Sequence, residues 1–384
     1  MRSVHIVAIL MAFLFCGSSL QAQTASDEKR PPSKFFSAED GWFDMSGFLN
    51  ERYGFLPFLA PITEPATGYG LGLGLAFLDK PFVGGEDGYN RPNITMVGGL
   101  WTENDSWGAL VADSRYWLDD QLQSTAGLVY FSVNLDFYGV GDNPVLQEQP
   151  LRYNMEPKGG LARGKTRLGN TRFWAGLGYS FWRTRISFDA PAGTPELPDF
   201  ERDSNVGGIS PTVVFDSRDN IFTPVRGTYV ELTGGFYSEL LGGDTGFQTM
   251  QLVVLEYMRL HRSLFLGLRA DGTASFGSSP FYMLPFVSLR GAAMMRYQGE
   301  QVAQVEAELR WQFWKRLSLL GFGGYGAAWV DFERFNSTQS VPTGGAGFRY
   351  ELAREYGIHA GIDVAASPDD TAFYIQVGSA WMRP

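Results

Sequence analysis

Arg290 is the residue whose surroundings most restrict what it can do. It sits in FGSSPFYMLPFVSLRGAAMMRYQGE, Phe276 to Glu300, beside Leu289 and Gly291 and among Phe281, Tyr282, Met283, Leu284, Phe286, Val287, Met294, Met295 and Tyr297. A guanidinium in such company needs a carboxylate, because an unpaired buried charge is costly. Candidates lie on both sides: Arg269 and Asp271 before the stretch, and Gln304, Glu306, Glu308 and Arg310 after it. The chemistry expected is ion pairing, with Arg290 bound to Glu306 or Glu308 and pinning the stretch. The alternative is an arginine that only joins a solvated network of charges. Hydrolysis has less support, since a Ser-His or Asp-His site needs a histidine. Beyond the N-terminal leader the chain has His261 and His359, neither within a catalytic motif, so no enzyme is expected. No metal-ligand spacing occurs, and Gly70 to Gly74 precedes no helix that could cradle a phosphate, so no metal or cofactor is expected either.

The elements that must position these residues are strands. Leu264 to Asp271 and Val302 to Trp311 both alternate with period two, so the apolar stretch between them is a long loop. A hairpin ordinarily needs only about 2–5 loop residues. Alternation recurs from Tyr53 onward: Leu71, Leu73, Leu75 and Phe77 against glycines, and Phe173, Ala175, Leu177, Tyr179 and Phe181 along one face. No run has the ~20 apolar residues of a membrane-spanning helix. The fold class expected is all-β, a transmembrane antiparallel barrel of about 16 strands with lipid outside and a polar lumen inside. A soluble sandwich or lipocalin-like barrel would need far fewer strands.

If the first strand rises from the periplasm, periplasmic connections are mostly short and extracellular ones include the long ones, as in outer-membrane barrels. Asp79 to Pro92 breaks this pattern. The same parity makes the Arg290 loop extracellular in origin and inward-folding, and puts Arg269, Asp271, Glu306, Glu308 and Arg310 on the lumen face. It places Asp216, Arg218 and Asp219 on a periplasmic turn, where Asp216 and Asn220 bond local backbone while Pro224 and Gly227 set the bend. Pro57 and Pro61 lack backbone donors, which weakens the first strand as a partner for the last and makes a seam there, with Trp381 on one face of the last strand. The bland alternative has Pro57 precede the paired region.

Arg2 followed by the apolar run Val4 to Phe15 reads as a secretory signal peptide, residues 1–22, cleaved near Ala22 or Ala25. Phe15 is too bulky for Cys16 to be a lipid-modification site. Residues 23–47, polar and proline-containing, read as a periplasmic linker, and 48–384 as the barrel. The net charge of −10 argues against nucleic acid as a partner.

Three stretches together resemble the BamA/TamA superfamily of outer-membrane barrels, the bacterial surface antigen family: the L-R-G loop followed by Glu308-Leu309-Arg310, Phe215 to Asn220 with Phe222-Thr223-Pro224 and Arg226-Gly227, and Phe137 to Asn143. The resemblance implies insertion or translocation of protein or lipid at the outer membrane, lateral opening at the seam, and contact with outer-membrane lipid and lipopolysaccharide. Alternatives of other classes are a small-solute channel and a surface-antigen barrel without transport. The sequence departs from the family twice. There is no room for a POTRA module before the barrel, so no POTRA-docked partners are expected. The family also pairs the loop arginine with an aspartate in an F-x-D-x-G pattern, where this chain has Phe322-Gly323-Gly324-Tyr325-Gly326.

Overall fold

The computed structural model describes residues 34–50, 55–64, 66–79, 92–141, 144–188, 200–330 and 339–383. The signal peptide and the first part of the linker lie outside them. The strands are β1 (Phe55–Glu64), β2 (Gly68–Asp79), β3 (Asn93–Thr102), β4 (Trp107–Trp117), β5 (Leu122–Phe137), β6 (Leu151–Arg167), β7 (Phe173–Phe188) and β8 (Phe200–Asp216). They continue as β9 (Gly227–Tyr237), β10 (Phe247–His261), β11 (Leu264–Gly277), β12 (Gln301–Trp314), β13 (Leu317–Trp329), β14 (Gln339–Ala353), β15 (Ile358–Ala366) and β16 (Thr371–Val377). Two short helices, α1 (Ser46–Leu49) and α2 (Pro144–Glu148), lie outside the wall.

All sixteen strands form one antiparallel sheet in chain order, the expected architecture and number. The long connection after Asp79 hides no miscount among the described residues: β2 ends there and pairs directly with Asn93 of β3. Alternation sorts the side chains as the barrel requires. Along β12, Ala303, Val305, Ala307, Leu309 and Trp311 are exposed outward, whereas Gln304, Glu306 and Arg310 are buried inside. Glycine on the inner face makes room for what fills the lumen; a Cβ on Gly74 would lie 2.0 Å from the Phe58 ring.

The sheet is nearly closed. Pro57 pairs with Leu75 and Pro61 with Leu71, so both prolines lie within the β1–β2 ladder and neither precedes it. Among the described residues no backbone ladder joins β1 to β16. The seam is bridged by Thr63, whose hydroxyl donates to the Phe373 carbonyl at 2.5 Å and accepts from the Phe373 N–H at 2.6 Å.

The β8–β9 connection and α1 lie at one end of the barrel. There Ile221 and Phe222 pack with Leu49, Leu56, Leu78, Tyr356 and Ile358 in one buried cluster. Part of the stretch expected to be a linker is therefore docked: Met45 N–H donates to the Leu352 carbonyl at 2.8 Å, and Asp40 and Asp44 both bind Arg316.

Candidate functional site

The loop between β11 and β12 enters the barrel, and Arg290 is its fixed point. Nε donates to Glu306 Oε1 at 2.9 Å and Nη1 to Asp363 Oδ2 at 2.8 Å. Nη2 lies 2.9 Å from Glu308 Oε2, a charge contact without hydrogen-bond alignment. The guanidinium carbon sits 3.6 Å from the centre of the Phe322 ring, a cation–π contact that covers one face of the cation. Glu306 and Glu308, the two partners open in the sequence, are thus both used. Asp363 on β15 was not foreseen.

That third carboxylate answers the missing aspartate on β13. Gly324 leaves space there, and the loop fills it: a Cβ on Gly324 would lie 3.3 Å from Leu289 Cδ1, and one on Gly326 would lie 2.3 Å from Val287 Cγ1. Asp363, fully buried, reaches Arg290 from two strands further on and also binds Arg349 through both oxygens, at 2.5 and 2.8 Å. Gly291 takes φ +92°, and its N–H donates to the Tyr374 hydroxyl at 3.0 Å. A side chain there would press on the Ala366 backbone, with a Cβ at 3.0 Å.

The other expected lumen partners divide. Arg269 and Asp271 pair with each other, and Arg269 also donates to the Ser288 carbonyl of the loop at 3.2 Å. Gln304 accepts from Ser288 N–H at 2.7 Å and donates to Asp271 at 3.0 Å. Arg310 takes no part: it lies 4.5 Å over the Phe265 ring, with Nη1 3.1 Å from His359 Nε2, toward the end that carries the β8–β9 connection.

Beyond Arg290 the loop crosses the barrel mouth opposite the β8–β9 connection. Phe281 packs among Phe137, Tyr153 and Phe188, with centroids 4.9, 5.5 and 5.8 Å away. Met295 is buried in the same cluster. The Phe137 to Asn143 stretch receives the end of the loop, since Gly141 N–H donates to the Gln298 carbonyl at 2.9 Å. Asp142 and Asn143 lie outside the described residues.

The turn motif between β8 and β9 has a larger role than a bend. Asp216 and Arg218 form a buried bidentate pair, with both hydrogen bonds at 2.9 Å, and Arg218 lies 4.3 Å over Tyr229. Asp219 accepts from Val225 N–H at 3.0 Å, and Asn220 from Phe222 and Thr223 N–H at 2.6 and 3.0 Å. Gly227 has φ +105°, and a Cβ there would strike the Ser217 carbonyl at 2.3 Å. Pro224 lines a small cavity with Tyr257 and Arg310.

Arg218 also donates to the Arg383 carbonyl at 2.8 Å, which brings in the C-terminal tail. Trp381 was expected on the seam face of the last strand. It lies instead in the lumen, because β16 ends at Val377 and Gly378, at φ +81°, turns the chain inward. Trp381 Nε1 donates to Glu306 Oε2 at 2.6 Å, while the ring packs near Tyr257 and over Gly267. Between tail and loop remains a polar cavity of about 400 Å³, lined by Arg163, Glu231, Arg269, Ser288 and Arg383.

Known structures share this arrangement of strands. BamA from Haemophilus ducreyi lacking POTRA domains 1–3 superposes with a TM-score of 0.55 at 12% identity, covering 85% of this chain and 70% of that one. The fold is that of the BamA and CdiB barrels. CdiB from Acinetobacter baumannii gives a TM-score of 0.55 at 11% identity over 84% of this chain, and CdiB from Escherichia coli 0.56 at 10% over 85%. The chain spans 59% and 63% of those two CdiB chains. No protein-family model matches the sequence, and no curated protein matches it in sequence.

Proposed function

We propose that this protein is an outer-membrane barrel of the insertion or translocation type, plugged at rest by the Arg290 loop and able to open at the β1–β16 seam. The observation that carries the reading is Arg290 itself, buried between carboxylates from β12 and β15 and stacked on Phe322. The thin seam, bridged among the described residues by Thr63, supplies the place where a strand or lipid would enter the bilayer. The BamA and CdiB barrels support the reading through their fold. Its partners are outer-membrane lipid and lipopolysaccharide together with a protein or lipid client.

Planar-bilayer conductance of the purified protein tests this, native beside Arg290→Ala and a deletion of residues 279–298. The native protein should give small, flickering currents, and both variants large, steady ones. Large steady currents from the native protein, unchanged in the variants, would leave a small-solute channel as the better description. An insertase should also speed the membrane assembly of a second barrel in vesicles, which a surface antigen without transport would not.

A further inference from the structure

Residues 34–50 form a strap along the periplasmic rim, and its aromatic contacts share one direction. Trp42 meets Trp314 edge-on at 5.1 Å and stacks on Tyr350 at 6.2 Å, while Phe48 meets Phe55 at 5.6 Å and Phe55 meets Phe77 at 6.0 Å. On the barrel, Trp314, Tyr350, Phe55 and Phe77 all belong to the outward series of β12, β14, β1 and β2. The aromatic side chains of the strap therefore reach the outer wall at β12, β14 and β1, while Leu49 tucks under the rim against the inward-facing Leu56 and Leu78.

Its polar groups point at the turns. Arg316, fully buried, spends its donors on Asp40 at 2.8 and 3.1 Å, Asp44 at 2.9 Å, and the Phe43 and Glu351 carbonyls at 3.3 Å each. Arg354 binds Glu39 at 2.8 Å and Asp40 at 3.0 Å. The remaining edge carries three phenylalanines. Phe35 stacks on Phe43 at 6.3 Å, Phe36 meets Phe43 edge-on at 6.0 Å, and the three are 40%, 55% and 40% exposed.

We propose that the strap is a membrane foot, with Phe35, Phe36 and Phe43 seated at the head-group boundary of the periplasmic leaflet and phospholipid as their partner. Lipid is the occupant because the phenylalanine cluster continues the barrel's own outward aromatic surface without a break. Aromatic side chains concentrate at that boundary, and an apolar edge opposite a charged one is how an interfacial segment lies. The foot covers the periplasmic end of the seam, so it ties lateral opening to the local lipid.

The test uses the full chain with its single cysteine, Cys16, replaced by serine. Phe36→Cys, Phe43→Cys and Glu39→Cys are each labelled with an environment-sensitive nitrobenzoxadiazole dye and reconstituted into phosphatidylethanolamine–phosphatidylglycerol vesicles. Heat-modifiable gel migration confirms a folded barrel in each, and two phenylalanine sites guard against one variant failing to fold. The labels at Phe36 and Phe43 should emit as in an apolar medium and lose about half their intensity, roughly two-fold, when the acyl chains are brominated near the head groups. The label at Glu39 should be unaffected. Water-like, unquenched emission from Phe36 and Phe43 would overturn the proposal, as would equal quenching at all three sites.

Discussion

At Arg290 the three carboxylates differ in burial, and burial sets what each is worth. The side chains of Glu306 and Asp363 are fully buried, whereas Glu308 is 17% exposed and its contact is not aligned. Removing one partner of a buried pair strands the other charge and costs about 3–5 kcal/mol, while pairs open to water contribute about 0–1 kcal/mol. Glu306→Gln and Asp363→Asn should therefore release the plug and give steady conductance, and Glu308→Gln should leave currents close to native. Equally small effects from all three would show that the site is solvated throughout. A steric route leads to the same release. Gly326→Val places new atoms where Val287 Cγ1 already lies, and overpacking of this kind costs about 1–3 kcal/mol. It should raise conductance while every charge stays in place.

At the scale of elements, the strap is held by ion pairs at the barrel rim, and its pH response has a definite sign. Burial alone would raise the Asp44 carboxyl, but hydrogen bonds from Ser46 and Arg316 outweigh it and hold the group below the usual range. The Arg316 hydrogen bonds hold Asp40 lower still. Carboxyls depressed on folding contribute stability that is complete above their unfolded value, near 3.9, and is lost as pH falls toward the folded value. The opening equilibrium read from amide exchange across residues 41–50, corrected for the intrinsic pH dependence of exchange, should thus be flat from about pH 5 to 8 and rise only below about pH 4. Arg316→Ala should raise it at every pH. The strap was read as linker because a short polar segment has no periodicity, and its phenylalanines carry no strand signal. The strands themselves were legible because Gln304, Glu306 and Arg310 alternate with Val305, Ala307 and Leu309 over a long run. Asp363 was not, because a partner 73 residues from Arg290 is set by strand register and leaves no local spacing. Trp381 was misplaced for a related reason: alternation runs on past Val377, and one glycine in a left-handed conformation ends the strand.

Across the whole molecule, two plugs enter from opposite ends and meet at one side chain. Glu306 gives Oε1 to Arg290 of the β11–β12 loop and Oε2 to Trp381 of the C-terminal tail. The tail is tied in turn to the β8–β9 turn through Arg218 and the Arg383 carbonyl, so loop, tail and turn motif form one connected set around a polar cavity. Residues that share a buried partner do not contribute independently, and couplings in such networks run to about 0.5–3 kcal/mol. Arg290→Ala leaves Glu306 with the indole N–H and a remote Arg269 at 3.8 Å, whereas Trp381→Ala leaves it with the full Arg290 pair. The arginine variant should therefore be the more damaging of the two in denaturant unfolding followed by gel migration. With Arg290 already gone, Trp381 is the nearest remaining donor to a stranded charge, so the double variant should lose more than the sum of the singles. Strict additivity would mean that loop and tail close the barrel independently, and that opening one end leaves the other shut.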